Sequence, residues 1–261
     1  MKLPQDELLA GSRDPDGLRA ILGLAETALR TWQPIWSPFL TAPLREEVLD
    51  RLSSLTELRL NSAGGWPGAE RQRLLISHND AIADENVTAP LVGLEVEGNF
   101  LFDPVEPHEM RGAIEALGIA EGALGDLWIR GDRGAQAICT TEAATTLHGR
   151  SGQVRDVEIR LETCPLDLLQ LPAVRVPKRI TSVEASCRLD AIASAGFGLS
   201  RAKVVQQIRH GRLRLNWTPI RQASKEIGIG DRLQLQDRGS LEIIATDRTK
   251  RERWRIVMER S

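Results

Sequence analysis

The sequence predicts an α+β protein built from successive parts. Three observations indicate this organisation: helical and strand periodicities alternate along the chain, prolines interrupt the pattern at Pro165, Pro172 and Pro177, and the charge changes sign near residue 174. A chain of 261 residues exceeds a typical domain of about 100–200 residues, so more than one core is expected. The predicted parts are an N-terminal helical and β unit (1–88), a middle domain (89–164), a linker (165–180) and a basic C-terminal domain (181–261).

The N-terminal unit is predicted to combine amphipathic helices with two strands. Apolar residues recur at helical spacing over residues 18–30 and again over residues 44–55. Two prolines within residues 32–39 forbid a continuous helix there, and the aromatic residues of that segment are expected to pack into a small core. Strands are predicted at residues 58–60 and 73–77, on either side of a Gly-rich turn.

The middle domain shows the order strand, helix, strand, strand, helix, strand. These elements are predicted at residues 91–96, 108–117, 126–129, 135–139, 141–149 and 153–161. The βαββαβ order is that of the ferredoxin-like fold, which RNA-recognition modules share with many unrelated proteins. RNA-recognition domains display aromatic side chains on their central strands, whereas the corresponding segments here contain only Trp128. We therefore favour a structural role for this domain over base stacking.

The net charge of −2 conceals a division between the two ends of the chain. Residues 175–261 contain 19 Lys and Arg against 9 Asp and Glu, a net charge of +10, whereas residues 1–174 contain 15 against 27, a net charge of −12. A concentrated positive domain favours a polyanionic partner, since neutralised phosphates release condensed counterions. A solvated charged surface is the alternative, and composition alone does not separate the two.

Cysteine usage and hydropathy argue against several classes of protein. Cys139, Cys164 and Cys187 lie far apart and form no Cys-x-x-Cys pair, which argues against a disulfide framework and a structural zinc site. We expect a reducing, cytoplasmic environment and neither metal nor cofactor. No apolar run approaches the roughly 18–20 residues that span a bilayer, and the N-terminus lacks an apolar signal core, so no membrane association is expected.

The C-terminal domain is predicted as two short helices on a small sheet. The helices cover residues 188–195 and 201–209, and Ser200 is well placed to cap the second helix. Strands are predicted at residues 212–215, 232–235 and 241–245. The apolar residues of the second helix share one face, which should face the core, and its polar residues share the other.

Motifs in this domain resemble the S-four RNA-binding domain, an αL-like fold. They are Arg188-Leu189-Asp190, Leu199-Ser200-Arg201-Ala202-Lys203, Leu215-Asn216 and Gly230-Asp231. The family binds structured RNA on its two helices and the following turn. The resemblance therefore implies an RNA-binding site made of Arg188, Ser200, Arg201, Lys203, Arg212, Arg214 and Asn216. Guanidinium groups at a helix start and along a strand can contact phosphates and recognise RNA by shape.

Motifs upstream extend the resemblance to nearly the whole chain. The segments similar to bacterial YlmH-type proteins are Gly64-Gly65-Trp66, residues 69–73, residues 108–113 and Asn216-Trp217. Residues 191–198 are similar to the cyanobacterial and plastid branch, called photosystem II S-four domain protein. One departure is the segment Gln236-Asp237-Arg238-Gly239-Ser240, where YlmH-type chains usually carry an Arg-rich Gly loop. The resemblance implies binding to the large ribosomal subunit with peptidyl-tRNA, in ribosome quality control.

An RNA-modifying enzyme is the main alternative, because S-four domains are often fused to pseudouridine synthases and tyrosyl-tRNA synthetases. Arg188-Leu189-Asp190 is similar to the catalytic triplet of pseudouridine synthases, but Asp190 lies inside the S-four module and is expected to cap or pair locally. Gly196-Phe197-Gly198 falls between two helices and indicates a helix stop instead of a nucleotide-binding loop. His78-Asn79-Asp80 is interpreted as a polar loop cluster, and Cys139 as a buried apolar residue.

We therefore predict a non-catalytic RNA-binding protein with rRNA or tRNA as partner, associated with the large ribosomal subunit, and monomeric. A link to photosystem II biogenesis is a further expectation from the branch resemblance. The open alternatives are an RNA-modifying enzyme and a protein-interaction factor with acidic partners. Residues 70–73 are left with two interpretations, an RNA contact or a surface ion pair.

Overall fold

The computed structural model describes residues 2–81, 88–173, 177–235 and 238–261. The chain forms two compact units, Met1–Ala173 and Val174–Ser261. Within the described ranges, no helix combines the length and the apolar character needed to cross a bilayer. The division into four parts, with a linker over residues 165–180, stays a prediction.

The first unit begins with a helical segment and a three-stranded antiparallel sheet in the order β1-β3-β2. Its elements are α1 (Gln5–Leu9), α2 (Pro15–Thr31), β1 (Ile35–Trp36), α3 (Ala42–Leu52), β2 (Leu58–Ala63) and β3 (Arg73–His78). Helix α2 begins at Pro15 because the Asp14 carboxylate accepts the Gly17 N–H, 3.0 Å away, and Pro suits the first helical position. The predicted helices and strands are confirmed, whereas α1 and β1 were not predicted.

One prediction for this segment was wrong. Trp32 was expected in a small aromatic core, but 51% of its surface is exposed and its ring stacks on that of His78, with centroids 3.8 Å apart. Trp32 ends α2 in a left-handed conformation, which turns its side chain away from the interior. Phe39, from the same proline-rich segment, is buried as expected.

The rest of the first unit is a five-stranded sheet with two helices against one face. Its elements are β4 (Leu91–Glu97), α4 (Pro107–Glu115), β5 (Leu124–Ile129), β6 (Gly134–Thr140), α5 (Thr141–Leu147), β7 (Ser151–Val154) and β8 (Val157–Cys164). The antiparallel order β5-β6-β4-β8-β7 contains the ferredoxin-like arrangement that was predicted. The single strand predicted at residues 153–161 is a hairpin instead. It turns at Arg155, which has a φ of 52°, and β7 becomes a fifth, edge strand.

The face of this sheet that RNA-recognition domains leave open is covered here. Ile138, on the central strand β6, packs into a second apolar cluster with Phe39 and Leu169. Trp128 lies on the edge strand β5, and its indole N–H donates to the Gln170 carbonyl at 3.1 Å. Segments before and after the sheet therefore occupy the surface on which bases would stack, which supports a structural role for this domain.

The second unit is a six-stranded antiparallel sheet with two helices on one face. Its elements are β9 (Lys178–Glu184), α6 (Leu189–Phe197), α7 (Arg201–Arg209), β10 (Leu213–Leu215), β11 (Thr218–Pro219), β12 (Arg232–Leu235), β13 (Gly239–Arg248) and β14 (Trp254–Arg260), with the strands in the order β11-β10-β12-β13-β14-β9. Strands β9, β11 and β14 were not predicted, and β9 begins within the residues assigned to the linker. The α+β fold class and the C-terminal two-helix domain are confirmed.

Close packing of α6 on the sheet depends on Gly196. A Cβ atom at this position would lie 2.2 Å from Leu241 Cδ2, so only glycine lets the helix approach β13 this closely. Phe197, Leu241 and Met258 are buried in the resulting core. The packing fixes where the first turn of α7 and the strands beside it present their charged side chains.

Candidate RNA-binding site

Ser200 fixes the first turn of α7. Its Oγ accepts the backbone N–H of Lys203 at 3.3 Å, which confirms the predicted N-cap. The hydroxyl oxygen is therefore engaged in holding the helix start, and the exposed side chains of Arg201 and Lys203 project from that turn. A positively charged pair at this position is positioned by the backbone, as a recurring phosphate contact requires.

Arg201 forms an ion pair with Glu184 at the surface. Its Nη2 lies 3.3 Å from Glu184 Oε2, and 54% of the Arg201 side chain is exposed. The Glu184 carboxylate also accepts the Ser182 hydroxyl proton at 2.5 Å. Exposed pairs of this kind contribute about 0–1 kcal/mol, so a phosphate can compete for the guanidinium.

Arg188 is bound more firmly than the sequence suggested. Its Nε and Nη2 each donate to one Asp190 oxygen at 3.0 Å, which makes a bidentate ion pair. Only 9% of the Asp190 side chain is exposed. Asp190 also accepts the Ala191 N–H at 3.0 Å. These hydrogen bonds, together with the charge of Arg201, lower the pKa of the Asp190 carboxyl. The arrangement bears out the expectation that Asp190 pairs locally, and it leaves only part of the Arg188 guanidinium for RNA.

The remaining cations of the predicted site are exposed. In the part of the chain that the structure describes, Lys203, Arg212 and Arg214 form no ion pair with a carboxylate. Arg214 projects outward because Leu213 and Leu215, its neighbours on β10, are buried in the core and side chains alternate along a strand. These three side chains are thus the predicted residues whose charges are available to a ligand.

The predicted site residues fall into two groups at opposite ends of α7. Ser200, Arg201 and Lys203 lie at its start, whereas Arg212, Arg214 and Asn216 follow its end. Arg188 precedes α6, and its partner Asp190 is close enough to Arg201 for that charge to lower the pKa of the Asp190 carboxyl. A nine-residue helix rises about 13 Å along its axis. The two groups therefore present charge at separated points, as contacts to more than one phosphate require.

Asn216 maintains the turn between β10 and β11. Its Nδ2 donates to Asp231 Oδ1 at 2.7 Å, and its Oδ1 accepts the Arg232 N–H at 2.9 Å. Asn216 and Trp217 both have positive φ, 46° and 69°, which is unusual for a residue as large as Trp. The amide of Asn216 is thus committed to the fold, which supports a structural role for this residue.

Three residues that were interpreted from the sequence, Arg73, Cys139 and His78, lie elsewhere in the chain. Arg73 is buried, its Nε donates to the Ser37 carbonyl at 2.7 Å, and burial lowers its pKa, so the surface interpretation of residues 70–73 is wrong for this arginine. Burial also raises the pKa of the Cys139 thiol to about 12, which keeps it protonated and unreactive near neutral pH. The ring of His78 is occupied by Trp32 on one face, and its Nδ1 accepts the Asp80 N–H at 3.1 Å.

The loop predicted to depart from the YlmH-type pattern is only partly within the described residues. Gln236 and Asp237 lie outside them. Arg238 is exposed, and its N–H donates to the Leu235 carbonyl at 3.0 Å. The contribution of this loop to an RNA contact stays a prediction.

Two stretches of the chain match known protein families. Residues 187–233, which contain α6, α7, β10 and β11, match the S4 domain, and residues 13–81 match the family described as YlmH, N-terminal. These two matches confirm the predicted resemblance to the S-four domain and to the N-terminal part of YlmH-type proteins.

Two named proteins are similar to this chain. The chain is 26% identical over 219 residues to the ribosome-associated protein quality control protein P2 of Bacillus subtilis (strain 168), and the match covers 84% of each protein. A solved structure, the cell division protein ylmH from Streptococcus pneumoniae, is 15% identical with a TM-score of 0.44, covering 59% of this chain and 92% of that one.

Proposed function

We propose that this protein is a non-catalytic, ribosome-associated RNA-binding protein that contacts structured RNA through its S4 domain. The observation that carries the proposal is the set of exposed cations that the S4 fold positions around α7, namely Arg201, Lys203, Arg212 and Arg214. The similarity to a ribosome-associated quality-control protein supports the ribosome as the place of action. The cytoplasm is the compartment that we expect.

Binding would proceed through the phosphate backbone. The net charge of +10 on residues 175–261 attracts RNA over long range, and the side chains at the two ends of α7 then set its position. Contacts of this kind recognise the shape of a duplex or junction and carry no base code. The ribosome-associated relative supports a ribosomal RNA, and the YlmH-type resemblance of the sequence implies rRNA of the large subunit, with tRNA as a second contact.

The state of Asp190 favours binding over catalysis. A carboxylate that acts as a base or nucleophile must reach its substrate, whereas this one is nearly buried and has both oxygens bonded to Arg188. An RNA-modifying reaction at the Arg188-Leu189-Asp190 triplet would require this pair to separate. The link to photosystem II biogenesis stays a prediction from residues 191–198.

Replacing Lys203, Arg212 and Arg214 together by Ala tests the proposal. We expect the affinity of the full-length protein for fluorescein-labelled bulk tRNA to fall about 10- to 100-fold at 0.15 M salt. The plot of log affinity against log salt should become shallower by about two to three, because each lost phosphate contact removes roughly 0.7–0.9 from its slope. Fluorescence anisotropy over a salt series measures both quantities.

The matched control removes three exposed arginines of the first unit, as Arg30→Ala, Arg59→Ala and Arg133→Ala. It changes the net charge by the same amount and should leave the slope within about half a unit of the wild type. Equal losses in the two triple variants would mean that only overall charge matters. Wild-type binding that does not respond to salt would contradict the proposal.

A further inference from the structure

A hairpin outside the S4 match carries the densest positive charge of the second unit. Residues 247–255, hereafter the basic hairpin, join β13 to β14 and contain five cations and two acids, Asp247 and Glu252. The S4 match ends at residue 233, so these residues lie beyond it. The sequence motifs that predicted the RNA-binding site do not include them.

The cations of the basic hairpin surround one recess. They contribute to the lining of a surface cavity of about 650 Å³, together with the half-exposed side chain of Val183 on β9. The five cations are Arg248, Lys250, Arg251, Arg253 and Arg255. Like charges around a shared cavity repel one another, and a polyanion in or across that cavity removes the repulsion.

In the described part of the chain, these cations do not form the ion pairs that several other arginines form. Among residues 2–81, 88–173, 177–235 and 238–261, no carboxylate forms an ion pair with any of the five. By contrast, Arg188, Arg201 and Arg232 in the same unit each pair with a carboxylate at 2.9–3.3 Å. The charge of the basic hairpin is therefore not neutralised by the described part of the protein.

Two hydrogen bonds between Thr249 and Arg253 hold the tip of the basic hairpin. The Thr249 N–H donates to the Arg253 carbonyl at 2.8 Å, and the Arg253 N–H donates to Thr249 Oγ1 at 3.1 Å. The Arg248 guanidinium lies 5.0 Å from the centre of the Trp254 ring, a cation–π contact that holds this side chain against the sheet. A preorganised set of cations loses less conformational freedom on binding than a mobile tail would.

The strand register connects the basic hairpin to the start of α7. Arg248 pairs with Trp254 across β13 and β14, and Trp254 pairs with Glu184 across β14 and β9. Glu184 is the residue that accepts the ion pair from Arg201. Arg248 on β13 is thus two strand spacings, about 10 Å, from Glu184 on β9, which pairs with Arg201 of the S4 site. One RNA backbone can contact both places.

We propose that the basic hairpin is a second phosphate-binding site for RNA, which extends the S4 contact beyond the start of α7. The inference rests on the proposed function for the class of partner and goes beyond it in location. RNA is favoured over an acidic protein because these five cations, which form no ion pair within the described residues, surround one open cavity that suits a repeating phosphate chain. They also adjoin the Arg201 end of the S4 site. An acidic protein partner is the outcome that the test below distinguishes.

The test replaces Lys250, Arg251 and Arg253 by Ala in the full-length protein and titrates labelled bulk tRNA and a 20-base-pair RNA duplex over a salt series. We expect the plot of log affinity against log salt to become shallower by about two to three for at least the duplex, with a 10- to 100-fold loss at 0.15 M salt. A reciprocal variant, Asp247→Asn with Glu252→Gln, should bind several-fold more tightly. The Arg30, Arg59 and Arg133 triple variant is the control.

The outcomes separate this inference from the proposed function. If the Lys203, Arg212 and Arg214 variant loses RNA affinity while the basic-hairpin variant matches the control, the second site is wrong and the S4 site stands. That same result, combined with loss of binding to an acidic polypeptide such as polyglutamate, would assign the basic hairpin to a protein partner. If the wild type itself shows no salt-dependent RNA binding, both proposals fail.

Discussion

Replacing Asp126 by Ala should lower the free energy of unfolding of the first unit by about 3–5 kcal/mol. One carboxylate on β5 accepts three hydrogen bonds there: from the Trp66 indole N–H at 3.1 Å and from the backbone N–H groups of Glu70 and Arg71 at 2.9 Å each. Each hydrogen bond to a charged acceptor contributes about 1.5–3 kcal/mol, and water recovers part of the loss at the exposed Glu70. Urea denaturation followed by tryptophan fluorescence measures the change.

Two further variants make this result specific. Asp126→Asn keeps the size of the side chain but turns one acceptor into a donor that faces backbone N–H groups, so it should lose most of the same stability. Asp132→Ala removes an exposed aspartate that has no side-chain hydrogen bond among the described residues, and it should change stability by less than about 0.5 kcal/mol. If Asp126→Ala and Asp132→Ala lower the free energy of unfolding equally, the three hydrogen bonds do not stabilise the loop that contains Trp66, Glu70 and Arg71.

Replacing Asp190 by Ala should destabilise the second unit by about 2–4 kcal/mol. The substitution removes the bidentate partner of Arg188 and the acceptor of the Ala191 N–H. Both contacts lie at the start of α6, which packs into the core. Thermal or urea unfolding of the full-length protein measures the loss, and Arg188→Ala should reproduce most of it. A change below about 0.5 kcal/mol in both variants would contradict this account of the pair.

The same pair predicts how stability depends on pH. Hydrogen bonds from Arg188 lower the pKa of the Asp190 carboxyl in the folded protein. A lowered folded-state pKa means that the stabilisation is complete above the unfolded-state value of about 3.9 and is lost as the pH falls through the folded-state pKa. Stability of the second unit should therefore decrease below about pH 4, and Asp190→Asn should lack this component. Parallel acid profiles of the wild type and the variant would refute the assignment.

Local sequence signals predicted much of the fold. Helix α2 and the cap of α7 by Ser200 follow from apolar spacing and from a side chain that bonds to a backbone N–H three residues away. The β7–β8 hairpin was missed because its turn consists of only two residues, Arg155 and Asp156, and contains no glycine or proline to mark it. Strand β9 was missed because its exposed polar residues and the preceding prolines resemble a linker.

The site was predictable in its residue types but not in its pairing. The positive charge and the S-four motifs were visible in the chain, whereas the partners of Arg201 and Asn216 lie 17 and 15 residues away and depend on the sheet order. Burial of Arg73 likewise depends on contacts with Ser37, 36 residues earlier. The positive charge of the basic hairpin is visible in the sequence, whereas the arrangement of its cations around one cavity depends on the pairing of β13 with β14.

RNA binding through the S4 domain can be tested in cells by crosslinking and sequencing the RNA that is bound to the tagged full-length protein. The Lys203, Arg212 and Arg214 triple-alanine variant serves as the control, at matched expression. We predict enrichment of large-subunit rRNA and tRNA with the wild type and its loss in the variant, because the S4 site supplies the phosphate contacts. Wild-type RNA recovery no greater than that of the variant would contradict RNA binding through the S4 domain.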